Sequence, residues 1–225
     1  MESIKSLLDF VLHINDHLDK MVLDYGIAIY AILFLIIFVE TGLVVMPFLP
    51  GDSLLFAAGA ICARTAGQPD ATMNIWVLIL LLFAAAVLGD NSNYAIGRFL
   101  GARAVKLKLG KRTLIRQTHI DKTQAFFDKY GTKAIIMARF VPIVRTFTPF
   151  VAGVGKMDYK RKFLPYDVLG GILWIGSMTL AGYALGTNAW VKSHFEGVVI
   201  AIILISVTPM VIGYLVSRRK KDAAK

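Results

Sequence analysis

The chain has 225 residues, of which 56% are hydrophobic, with 25 Lys and Arg against 15 Asp and Glu, and a mean hydropathy of +0.63. An ordinary soluble domain is roughly 45–50% apolar, so composition points to a membrane protein of one domain, or of two small halves sharing a core. A net charge of +10 is better explained by basic loops beside anionic lipid than by nucleic acid, and the single Cys62 excludes an internal disulfide and leaves a thiolate metal site without partners.

Residues 1–24 carry five acids (Glu2, Asp9, Asp16, Asp19, Asp24) against Lys5 and Lys20, the wrong sign for a signal sequence. Ile4, Leu7, Leu8, Val11, Leu12, Leu18, Met21 and Val22 recur at helical spacing, which predicts an amphipathic helix on a membrane surface. His13 and His17 stand four apart on it; two histidines on a solvated face is the simpler reading than a metal site.

The next segment, 26–63, is apolar but broken at Pro47-Phe-Leu-Pro50-Gly51-Asp52, with Glu40 ten residues before Pro50. It predicts a hairpin opening outward; the alternative is a straight crossing by 26–46 followed by a half-helix. Residues 75–100 are long enough to span a bilayer and contain the polar patch Gly89-Asp90-Asn91-Ser92-Asn93-Tyr94. Arg103–Lys133 then holds nine Lys or Arg and two Asp, so the segment 101–133 is expected in the cytoplasm.

The second broken segment, 134–155, reads Arg139-Phe-Val-Pro142-Ile-Val-Arg145-Thr-Phe-Thr-Pro149, with Arg139 ten residues before Pro149. It lies between that basic stretch and Lys156–Lys162, which holds four bases and one acid. It must therefore enter and return on one side, with Pro142, Pro149 and Gly153 supplying the break. Spans 163–186 and 197–217 follow, and the tail 218–225 carries five bases and one acid. The loops Arg64–Asn74 and Thr187–Glu196 carry one charge of each sign. The positive-inside rule puts the basic regions and the C-terminus in the cytoplasm and these two loops outside.

The two hairpins thus open to opposite faces. Each is followed by a span bearing Tyr-x-x-Gly, at Tyr94–Gly97 and Tyr183–Gly186. Inverted repeats with broken helices meeting near the midplane are a recurring transporter architecture. The expected fold is an all-α integral membrane protein built from two such hairpin-plus-span repeats.

Ionisable groups at this depth are costly and mark functional sites by default. Once loops and tails are set aside, Glu40, Asp52, Asp90, Arg98, Arg139, Arg145 and Asp167 remain. Arg98 and Asp167 lie near span ends, where snorkelling suffices. Arginine offers phosphate a planar fork of donors, and half-helix N-termini add unpaired N–H groups. Arg139 and Arg145 are therefore the expected phosphate ligands, with Glu40 and Asp52 exchanging protons as their counter-ions. Asp90, Asn91, Tyr94, Pro50, Gly51, Pro142 and Pro149 are expected to line or support the cavity. A buried network that only locks the hairpins together is the rival structural reading.

Glu40 with Pro47-x-x-Pro50-Gly51-Asp52, Arg139-Phe-x-Pro142-x-x-Arg145 and Pro149-x-x-Ala-Gly153 together resemble the DedA family of bacterial inner-membrane proteins, from about Tyr25 to the tail. The wider superfamily is similar to VTT or SNARE-associated domain proteins that scramble phospholipids. The resemblance implies lipid transport, and specifically recycling of undecaprenyl phosphate to the inner leaflet, with functional acids and arginines where Glu40, Asp52, Arg139 and Arg145 stand.

An enzyme is the main rival class. All four histidines (His13, His17, His119, His194) fall outside the apolar segments, and no Ser-His-Asp set, metal cluster or Walker loop appears. Buried acids also fit a proton or cation antiporter, and a passive scramblase needs no coupling. The expected partners are polyprenyl phosphate or phospholipid and protons, with no cofactor and no nucleic acid; a homo-oligomer is left open.

Overall fold

The structure, a computed structural model, describes residues 27–42, 51–66, 73–100, 108–109, 112–113, 117–195, 197–202 and 204. The amphipathic helix expected at 1–24, the first hairpin's tip with Pro47 and Pro50, most of 197–217 and the tail 218–225 lie outside these residues. Helices α1 (Ala28–Gly42), α2 (Gly51–Thr65) and α3 (Ile75–Leu100) form the first half. A two-residue antiparallel ladder, β1 (Lys108–Leu109) with β2 (Arg112–Thr113), and α4 (Gln117–Tyr130) follow. The second half comprises α5 (Ala134–Ala138), α6 (Pro142–Val154), a π-turn at Tyr159–Phe163 and α7 (Leu164–Gly186), and then α8 (Ala189–Ser193). Apart from this small ladder in the basic segment, the described elements are helical, as expected of an all-α protein.

Two of these helices are long and apolar enough to cross a membrane, Ile75–Leu100 and Tyr159–Gly186. At 1.5 Å per residue, α3 is about 39 Å long. Asn74 caps it, its Oδ1 accepting from the Trp76 and Val77 N–H groups at 2.9 and 3.3 Å; such a side-chain acceptor satisfies orphan donors of the first turn.

Contacts set the direction of each helix. Asn74 N donates to Tyr30 Oη at 2.6 Å, and Gly42 meets Gly89 half-way along α3, so α1 runs with α3. Helix α2 returns, from Gly51 beside Glu40 to Cys62, whose Sγ donates to the Met73 carbonyl at 3.4 Å. From the opposite end, Ile135 packs in a cluster with Tyr94, Ala152 and Phe163. The chain then breaks at Arg139–Val141, and α6 runs back alongside α3, with Thr146 at Asn93 and Phe150 at Gly97. The end of α1, the start of α2 and the break before α6 therefore lie at the level of Asp90–Asn93, and α7 runs antiparallel to α3.

The break expected from Pro142, Pro149 and Gly153 is made elsewhere in part. Pro142 does start α6, but Pro149 lies inside it and Gly153 in its last turn. An interior proline removes one backbone hydrogen bond and crowds the preceding turn, yet α6 continues through Pro149. In the same turn the Thr148 hydroxyl donates to the Val144 carbonyl at 2.6 Å.

Helix α2 packs on α7 of the other half, and α6 on α3. Glycines make both crossings. A Cβ at Gly59 would collide with the Thr179 carbonyl, and one at Gly182 with the Phe56 carbonyl; in the mirror contact, Gly153 meets the Tyr94 carbonyl and Gly97 the Phe150 carbonyl. Tyr94-x-x-Gly97 thus corresponds to Thr179-x-x-Gly182. The match expected with Tyr183–Gly186 is displaced by one helical turn, because backbone approach rather than the tyrosine sets the register.

Two apolar clusters lie among the described residues. The larger includes Ile37, Leu55, Leu82 and Trp174, and the smaller is built around Tyr94 and Phe163. Along α3 and α7 the buried charges fall between them. Outward, Trp76, Leu80, Leu88, Phe99, Leu169, Ile172, Leu173 and Leu180 are exposed, a surface that only another apolar phase or partner would cover.

The glycine crossings are directly testable. Gly97→Ala should lower stability by about 1–3 kcal/mol through overpacking. Gly176→Ala, where a Cβ meets nothing within 4 Å, should be neutral or gain up to about 1 kcal/mol of helix propensity. Thermal unfolding in detergent measures both; a wild-type midpoint for Gly97→Ala would refute the close packing of α6 on α3.

Candidate functional site

An arginine cannot shed its charge inside a protein, so each buried guanidinium must be met by anions. Arg139 follows α5 and Arg145 lies in the first turn of α6, and both are buried. The chain meets each with two carboxylates.

Arg145 reaches across to the first half, its Nη2 donating to Glu40 Oε1 at 2.9 Å and its Nη1 to Asp52 Oδ1 at 2.7 Å. Glu40 ends α1 and Asp52 lies in the first turn of α2. Gly51 begins α2 against the Glu40 carboxylate, where any Cβ would collide with it. A helix start presents unpaired N–H groups and the positive end of its dipole, so both acids stand where negative charge is favoured.

Arg139 is held by Asp90 of α3, in contact with its Nη2, and by Asp167 of α7, whose Oδ1 accepts from the same nitrogen at 2.7 Å. Asp167 was expected to snorkel. Instead it is 1% exposed, because the first turns of α7 pack against the Arg139 break and cover it.

Three residues outside the expected site complete the arrangement. Trp174, fully buried, donates from Nε1 to Asp52 Oδ1 at 2.7 Å. Both guanidiniums lie over its ring, Arg145 at 4.5 Å and Arg139 at 5.9 Å, an arrangement the ring quadrupole favours. Asn93 Nδ2 donates to the Thr41 carbonyl at 3.2 Å and the Thr146 carbonyl at 2.9 Å, tying the end of α1 to the start of α6. Asp167 is the third. Polarity inside an apolar span was the available signal for Asn93 and Asp167; nothing local distinguishes Trp174 from a core tryptophan.

The other expected site residues are placed as follows. Asp90 and Gly51 sit in the network. Asn91 is half-buried and donates to the Val87 carbonyl of its own helix at 2.7 Å. Tyr94 lies one turn beyond the charges, its hydroxyl donating to the Met157 carbonyl at 2.5 Å and its ring 4.5 Å from that of Phe163; it packs the second cluster and touches none of the six charged groups through a hydrogen bond. Pro142 and Pro149 are in α6, and Pro50 is outside the described residues. Arg98 is exposed. Among the described residues, no group of three or more His, Cys, Asp or Glu side chains is arranged to hold a metal ion.

The profile of the VTT domain matches residues 49–184, a stretch containing all of these charged groups except Glu40. The chain is 47% identical over 225 residues to Protein DedA of Escherichia coli, covering 100% of this chain and 99% of that protein. The chain belongs to the DedA family. Inner membrane protein YghB of Salmonella typhimurium is 34% identical over 208 residues, 92% of this chain and 87% of that one. An uncharacterized membrane protein of Mycobacterium leprae is 42% identical over 177 residues, 79% and 75% of the two chains. No solved structure matches. Like these DedA-family relatives, the chain is a membrane protein, which accounts for its exposed apolar faces.

The Trp174 contacts predict a graded response. Trp174→Phe keeps the ring and loses the donor to a charged acceptor, costing about 1.5–3 kcal/mol, and Trp174→Ala should cost about 3–5 kcal/mol. Unfolding curves in detergent decide this; a phenylalanine variant as stable as wild type would show that the bond to Asp52 contributes nothing.

Proposed function

We propose that this DedA-family protein carries a phosphate-headgroup lipid, undecaprenyl phosphate in the first instance, across the bacterial inner membrane, with protons as coupling ions. One observation carries the reading: two buried arginines, each clamped by carboxylates, stand where the two helical hairpins meet. In this reading the hairpins are re-entrant and belong to inverted repeats, one opening to each side. Lys156, Lys160, Arg161 and Lys162 are exposed at the end where α7 begins, which the positive-inside rule assigns to the cytoplasm.

The chemistry follows from the geometry. A phosphate needs the same forked donors that Glu40 and Asp52 now occupy on Arg145. Protonating Glu40 or Asp52 weakens its hold and lets the headgroup replace it, with the α2 N-terminus as a further donor surface. Loss of those protons on the other side restores the ion pairs and expels the phosphate. Because Arg145 belongs to one half and its acids to the other, the exchange breaks and remakes a link between the halves. That is the coupling an alternating-access carrier requires.

A proton or cation antiporter is the second reading. It is favoured by four carboxylates facing only two guanidiniums. Lipid dependence of dye quenching in proteoliposomes separates the two.

Transport of undecaprenyl phosphate against ordinary phospholipids, resolved by leaflet in proteoliposomes, tests the proposal. Arg139→Lys and Arg145→Lys keep the charge but lose the fork, and should lose about tenfold or more of the rate, about 1.4 kcal/mol, while folding. Near-normal rates in both would remove the guanidinium clamp, and misfolding of both would favour a structural lock. Glu40→Gln and Asp52→Asn should abolish dependence on an imposed pH gradient; wild-type transport indifferent to that gradient would leave a passive scramblase.

Topology has its own test. On a Cys62→Ser background, cysteines placed at Thr118 and Lys225 should resist a periplasmic reagent, and one at Asn188 should label. Labelling at position 118 from the periplasm would undo the re-entrant assignment of 134–155.

A further inference from the structure

The Glu40–Arg145–Asp52 cluster has a partner that the transport cycle above does not use for protons. Asp90, Arg139 and Asp167 form a second cluster of two carboxylates on one guanidinium, their side chains 1–3% exposed. If all three were ionised, the cluster would carry one uncompensated negative charge. Removing an unpaired charge from water costs several kcal/mol even after relaxation. Two acids that share one site escape this cost when one of them is neutral.

Among the described residues, no cation other than Arg139 is paired with these acids. Arg139 faces Asp90 from the break before α6, and Asp167 faces it from the start of α7. The remaining guanidinium, Arg145, is engaged by Glu40 of α1 and Asp52 of α2. Asp90 Oδ2, Asp167 Oδ2 and Arg139 Nη1 are buried without a hydrogen-bond partner among the described residues. Asp90 Oδ2, however, lies in ion-pair contact with Arg139 Nη2, whereas at Asp167 it is Oδ1 that meets Arg139, leaving Oδ2 as the carboxyl oxygen turned from the cation. A carboxyl oxygen buried without a donor is the atom on which an O–H best sits.

We propose that the Asp90–Arg139–Asp167 triad is a second proton-binding site, holding one proton at neutral pH. The proton comes from water and forms an O–H bond at Asp167 Oδ2. Oδ1 continues to accept from Arg139, while Asp90 stays ionised, so the triad becomes neutral as a whole. This site belongs to the resting protein and does not depend on which lipid, or whether any lipid, is carried. If the transport reading also holds, the free Nη1 edge of Arg139 is the one a phosphate would meet first, and a proton is released or gained there in addition to that on Glu40 or Asp52.

Infrared spectroscopy of the purified full-length protein in detergent tests this without transport. Wild type grown with carboxyl-labelled [13C]aspartate should show, at neutral pH, a protonated-carboxyl stretch that shifts with the label and exchanges slowly in D2O. It should persist in Asp52→Asn, which removes the half-buried aspartate of the Arg145 cluster. It should vanish in Asp90→Asn or Asp167→Asn, each of which leaves Arg139 with one acid. Asp167→Glu, the milder change should the amides fail to fold, keeps an acid but takes it out of the labelled set, so the band should lose its label shift. No label-sensitive band in wild type would overturn the proposal. So would a band lost in Asp52→Asn, or one surviving in both Asp90→Asn and Asp167→Asn. Because the readout is proton occupancy, failure here would leave lipid transport standing, and failure of transport would leave this site standing.

Discussion

The permanence of two arginine charges in an apolar interior is the constraint around which this molecule is arranged. A carboxylate can be neutralised by a proton, but Arg139 and Arg145 cannot shed theirs. Their four acids come from four different helices, α1, α2, α3 and α7. The ion pairs therefore dictate which elements must meet. Trp174 lies under both guanidiniums and donates to Asp52, joining the two clusters through one rigid side chain.

That meeting place exists only because the helices are interrupted. A continuous helix carries no free N–H groups in its middle; the starts of α2 and α6 bring such groups to the level of Asp90 on α3. The interruptions are held by backbone-close packing. Gly59, Gly97, Gly153 and Gly182 let α2 sink into α7 and α6 into α3. In a membrane, where apolar association with lipid competes equally well, such close approach is what holds helices together. The same crossing repeated in both halves places the end of α1 and the start of α6 face to face, with Asn93 bonded to a carbonyl of each. Stability and site are thus one arrangement: the glycines bring in the arginines, and the acids make their burial tolerable.

Much of this was legible in the residues. Charges in apolar segments singled out Glu40, Asp52, Asp90, Arg139 and Arg145, because desolvation makes any such residue conspicuous. Pro142 marked the start of α6, since proline fits the first helical turn. Pro149 misled because α6 continues through it, despite the lost hydrogen bond and the crowded preceding turn. Asp167 was misjudged because distance along a span is a poor guide to exposure when another helix covers that end. Tyr94 and Tyr183 looked like equivalent landmarks, yet the glycine contacts set the true register four residues away.

The sequence by itself determined the two long apolar spans, the break before Pro142 and the list of charges, because hydropathy, missing donors and desolvation act on each residue locally. It could not decide which acid answers which arginine, nor that Trp174 and Asn93 belong with them. Those pairings join residues 28 to 122 positions apart, and they depend on how closely four helices approach at their glycines. Only the folded chain, with its backbones in contact, sets that distance.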